Sequence, residues 1–106
     1  MSLEREVERA FTDEGEKLGA MVLKFVSPGT SGVPDRIVLF PDGTHAFVEL
    51  KAPGKRPRLL QQRVFARFER MGHLVYTIDS KAAAHEFWRR HRTRCAVRFR
   101  GAGEVR

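Results

Sequence analysis

The chain has 106 residues, 42% hydrophobic and 31% charged, which suits one globular domain over residues 1–106 and excludes a disordered chain. Its net charge of +7 is unevenly spread: residues 1–50 hold 5 basic and 9 acidic groups, residues 51–106 hold 15 and 4, a balance that points to a polyanionic partner. The single cysteine, Cys95, excludes a disulfide scaffold or a zinc cluster, and no apolar run suggests a signal peptide, a membrane span or a membrane partner.

In chain order, Leu3, Val7, Ala10, Phe11, Glu14 and Leu18 recur at helical spacing, with Ser2 placed to cap the helix and Gly19 to stop it. Met21 to Val26 reads as a strand, and the following SPGTSGVP segment as a loop. Asp35 to Phe40 and His45 to Lys51 are apolar runs flanking PDGT, a hairpin signature. Pro41 fits a type I turn and Gly43 the left-handed residue that closes a bulged three-residue loop; this register sets Phe40 against Thr44 and Asp35 against Glu49. After the APGKRP loop, Arg58 to Met71 reads as a helix with Leu60, Val64, Phe65 and Phe68 as its apolar face and Gly72 beyond it. Leu74 to Ile78 is a strand, Ser80 caps a helix from Lys81 to about His91, and Ala96 to Arg100 alternates like a final edge strand. The order α-β-β-β-α-β-α-β describes an α/β sandwich: a central mixed sheet flanked by helices.

The chemistry concentrates at the hairpin. Residues two apart on a strand share a face, so Glu49 and Lys51 stand together and the register brings Asp35 opposite Glu49. Two converging carboxylates beside a lysine make an oxygen-rich site for a hard cation, Mg²⁺ or Mn²⁺. Lys51 is then placed to position an attacking water or to stabilise charge on a phosphoryl transition state.

These segments carry a resemblance. KFVSPGTSGVPDRIVL, FVELKAPGKRPRLLQQ and GHLVYTIDS together resemble the virus-type replication-repair nuclease domain, a branch of the PD-(D/E)-x-K nucleases, with its restriction-endonuclease-like fold. The resemblance spans roughly residues 4–80 and implies metal-dependent hydrolysis of structured DNA, Holliday junctions among the candidates, by a homodimer in the cytoplasm of a bacterial or phage-infected cell, with no nucleotide cofactor. It implies Asp35 and Glu49 as metal ligands, the Leu50 carbonyl as a further ligand, Lys51 as the catalytic lysine and Gln61 as a supporting residue. It also implies a glutamate from the first helix; alignment of EREVERAF favours Glu6, with Glu4, Glu8 and Glu14 as alternatives.

Seven basic residues and one acid lie between Lys51 and Arg70. Lys55, Arg56, Arg58 and Arg63 are the expected phosphate contacts, with Ser27 and Thr30 as hydroxyl donors from the glycine-rich loop. Two other functions share this charge pattern: a DNA-binding module that keeps the fold without catalysis, and a restriction-type duplex endonuclease. The four histidines show no metal-ligand spacing, and Phe87 and Trp88 read as core.

Overall fold

A computed structural model describes residues 3–97, which form α1 (Leu3–Lys17), β1 (Met21–Lys24), β2 (Arg36–Leu39), β3 (His45–Leu50), α2 (Leu59–Arg70), β4 (Val75–Ile78), α3 (Lys81–Arg90) and a short α4 (Arg92–Ala96). The strands lie in the order β1-β2-β3-β4, antiparallel at the first two junctions and parallel at the last. The sheet is therefore mixed, as expected.

Turn chemistry sets the register. The Phe40 N–H donates to the Thr44 carbonyl (2.9 Å), the Gly43 N–H donates to the Phe40 carbonyl (3.0 Å), and Gly43 has φ 93°. That positive φ suits glycine and closes the bulged loop. Leu39 pairs with His45 and Arg36 with Val48, so one further step sets Asp35 against Glu49.

Alternation along β2 and β3 divides the sheet into two faces. Val38, Ala46, Val48 and Leu50 pack with Val7 and Phe11 of α1 and Ala84, Phe87 and Trp88 of α3 in one core. Phe47 points the other way, onto Phe68 of α2 (ring centroids 4.9 Å). α1 packs closely against α3 at Gly15: a Cβ there would lie 2.3 Å from Trp88 Cζ2. The Trp88 indole N–H donates to the Phe11 carbonyl at 2.9 Å, fastening the two helices. On α3, the Ser80 side chain accepts the Ala83 N–H (3.0 Å), the expected cap.

Three expectations change. Ala96 closes α4, a helical turn whose buried residue is Cys95, where alternation suggested an edge strand; Val97 caps it in an extended conformation, and 98–100 of that segment lie outside the described residues, as does Ser2. β1 ends at Lys24, two residues early. Leu60 is 53% exposed, because Gln61 holds the inward place on the first turn of α2. α2 also makes no major contact with β1 or β2, so Met21, Leu23 and Leu39 stand exposed on that half of its face. Among the described residues no helix is long and apolar enough to cross a membrane.

Candidate active site

The end of the hairpin gathers Asp35, Glu49, Lys51 and Gln61. Asp35 and Glu49 lock the strand ends together crosswise: the Asp35 N–H donates to Glu49 Oε1 (3.1 Å) and the Leu50 N–H donates to Asp35 Oδ1 (3.1 Å). Pro34 explains why side chains take over here. In the hairpin register it stands opposite Leu50, where the next reciprocal pair of ladder bonds is due, and proline has no N–H to give the Leu50 carbonyl.

The Glu49 side chain is 5% exposed, and Lys51 Nζ lies 3.0 Å from its Oε2. Gln61 completes the group. Its Nε2 donates to the same Glu49 oxygen (3.0 Å), while its Oε1 accepts from Lys51 Nζ (3.3 Å) and from the Arg58 N–H (2.9 Å). One amide thus fixes carboxylate, ammonium and the start of α2. No buried polar side-chain atom among the described residues lacks a partner.

Asp35 carries the electrostatic strain. Burial first, and the Glu49 charge second, push its carboxyl up to about 6, against the lowering effect of the Leu50 N–H. Glu4, at the start of α1, adds to the same repulsion. Arg36, the next residue, faces α1. Its Nη1 donates to the Asp35 carbonyl (3.0 Å) and lies 3.6 Å from Asp35 Oδ2, and its Nη2 pairs with the Glu8 carboxylate.

The other anticipated residues are placed as follows. Glu6 faces α3, 3.8 Å from Lys81 Nζ, and is not brought to this group; Glu14 pairs with His85. Glu4, exposed at the start of α1, is the first-helix glutamate whose charge is felt at Asp35. Lys55, Arg56, Arg58 and Arg63 are all exposed along the loop and α2. Ser27 is half-buried and Thr30 exposed, in a turn where the Thr30 N–H donates to the Ser27 carbonyl (3.2 Å). Arg36 escaped sequence reading; its position beside Asp35 was the only signal, and its partner lies 28 residues away. His91 is core: burial, then Arg94, holds it below the usual histidine range.

The donor set can be tested against a metal. Among the described residues no three His, Cys, Asp or Glu side chains form a ready cage. Two carboxylates do converge, held at the strand ends by the Asp35 and Leu50 N–H groups, beside a main-chain carbonyl that Pro34 cannot serve. An all-oxygen set of this size fits a hard divalent cation that keeps part of its water shell.

Comparison with family profiles gave no match. Among curated proteins, the chain is 46% identical over 78 residues to "Putative nuclease p44" of Acyrthosiphon pisum secondary endosymbiont phage 1, covering 74% of this chain and 84% of that protein. Among solved structures, a "VRR_NUC domain" superposes with a TM-score of 0.79 at 30% identity, over 84% of this chain and 97% of that one.

Proposed function

The chain belongs to the virus-type replication-repair nuclease (VRR-NUC) family, and from that premise we propose a Mg²⁺- or Mn²⁺-dependent endonuclease that cuts branched DNA, Holliday-junction-like in form, as a homodimer. The observation that carries this reading is the hairpin end, where Asp35, Glu49, Lys51 and Gln61 form one hydrogen-bonded group.

In this reading Asp35, Glu49 and the Leu50 carbonyl hold the metal, with Glu4 as the contribution of α1 in place of Glu6. Bound there, the ion supplies polarisation of a phosphoryl oxygen and activation of an attacking water. The chain's own groups do the rest. Gln61 holds Lys51 beside Glu49, so the ammonium stands at a fixed point to orient the water and offset charge that develops on the phosphate. Lys55, Arg56, Arg58 and Arg63 grip flanking phosphates, with Ser27 and Thr30 as hydroxyl donors. The exposed Met21, Leu23 and Leu39 give a second copy an apolar surface, and two sites then act on one substrate. The setting that suits such an enzyme is the cytoplasm of a bacterial or phage-infected cell.

The test is cleavage of a four-way junction, a flap and a linear duplex in Mg²⁺, Mn²⁺ or EDTA. Junction cutting is expected with either metal and not in EDTA. Lys51→Ala should lower the rate by about 10²–10⁴-fold, and Gln61→Ala by about 10–100-fold, the usual effect of removing a residue that orients others. Cutting in EDTA, or a fully active Lys51→Ala enzyme, sinks the mechanism.

A further inference from the structure

The acidic half of the chain holds five cations, Arg5, Arg9, Lys17, Lys24 and Arg36. Four of them, all but Lys17, line one cleft of about 500 Å³ between α1 and the β1–β2 edge of the sheet, together with Glu8, Thr12, Asp13 and Val22. Chance placement would scatter them, and ordinary stability would separate them. Lys24 stands directly across from Arg36 in the β1–β2 register, and like charges opposed on a sheet repel. Arg5 and Arg9 are four apart on α1, the spacing at which like charges also repel. Two repulsive pairs thus face one space.

Two acids also line the cleft, Glu8, which is engaged with Arg36, and Asp13, four residues on from Arg9; against the four cations they leave a balance of +2. Among the described residues neither Arg9 nor Lys24 has an ion-pair partner, and both are exposed. The cleft adjoins the site through Arg36, whose guanidinium donates to the Asp35 carbonyl. It opens on the α1 face of the sheet, whereas the Lys55–Arg58 loop leads into α2 on the other face. The Asp35–Glu49 pair lies between two cationic regions.

We propose that this cleft binds the sugar–phosphate backbone of the DNA strand on one side of the cut, opposite the side held by the Lys55–Arg58 loop. This rests on the nuclease reading above, and deepens it by giving the strand a path across the end of the sheet. Arg9 and Lys24 are the phosphate-contacting residues. Arg36 is a positioning residue that ties the cleft to Asp35.

The experiment is equilibrium binding of the full chain to a four-way junction in EDTA, by fluorescence anisotropy over a salt series. The proteins are wild type, Arg9→Ala/Lys24→Ala, Lys24→Ala and Lys17→Ala. Lys17→Ala removes the same charge as Lys24→Ala, from outside the cleft. The double variant is expected to bind about tenfold more weakly, with the log–log salt slope reduced by about one to two. Lys17→Ala should follow the wild type. Single methylphosphonates, which remove one backbone charge, are then walked along each strand. One or two adjacent positions should weaken the wild type and leave the double variant unaffected. The inference is overturned if Lys24→Ala and Lys17→Ala lose equally, if the double variant keeps wild-type affinity and slope, or if every methylphosphonate costs both proteins alike. A wild type that cuts no DNA in Mg²⁺ or Mn²⁺ would overturn the nuclease reading itself, which separates the two failures. Circular dichroism of the variants checks that these surface changes leave the fold in place.

Discussion

Asp35 is where function and stability oppose each other. Its folded pKa of about 6 lies above the ordinary 3.8, so the folded protein keeps a proton that the unfolded chain gives up across that interval. Stability therefore falls as pH rises through the window from about 4 to 6, because the unfolded state binds fewer protons there. Above it, the metal-free protein holds two repelling carboxylates at the strand ends. Asp35→Asn removes that repulsion and keeps an oxygen for the Leu50 N–H. In EDTA at pH 7.5 this variant should melt at a higher temperature than the wild type, and the gap should close by pH 4. It should also lose nearly all cleavage. Thermal melts at the two pH values check the first claim, and a wild type that melts higher at pH 7.5 would count against it. In the proposed reading, a cation that relieved this repulsion would gain affinity from it.

At the level of elements, the α1–α3 contact is set by a missing side chain. A methyl at Gly15 would meet Trp88 Cζ2 at 2.3 Å and Cη2 at 2.6 Å. Gly15→Ala gains helix propensity, yet overpacking here should outweigh it and destabilise the fold by about 1–3 kcal/mol. Urea unfolding measures this; a neutral or stabilised variant would mean that the helices slide apart freely. The sequence disclosed the hairpin and its carboxylate pair because both follow from local rules, Pro41 and Gly43 for the turn and period two for the faces. It disclosed less about helix rotation. The four candidate glutamates on α1 look alike to a periodicity argument, and what sets Glu8 on Arg36 and Glu6 toward Lys81 is the helix's rotation, fixed by distant anchors such as Trp88 on Phe11. Leu60 misled for a related reason. Spacing assigns it to the apolar face, but the ground beneath the first turn of α2 is polar, so Gln61 turns inward and Leu60 rests by Gly32. AVRFR alternates as a strand would, while burial of Cys95 closes a helical turn before it.

Across the whole molecule, charge and apolar surface divide the work. The carboxylates stand at the end of the sheet, cations flank them on both faces, and Met21, Leu23 and Leu39 occupy the half of one face that α2 leaves open. If that surface joins two copies, light scattering should return twice the 12.1 kDa chain mass, and Leu23→Ser should shift it toward one. A wild type that stays at 12.1 kDa at working concentration would rule the dimer out. Trp88, finally, is the chain's one tryptophan. It is fully buried, ringed by Phe11, Phe40 and Phe87, and its indole N–H is bonded to the backbone of α1. The helix it monitors bears Glu4, Glu8 and Arg9. Nature has thus wired an optical gauge to the helix that lines the cationic cleft: any loosening of that helix admits water to the indole and reddens its emission, readable in a cuvette without a dye.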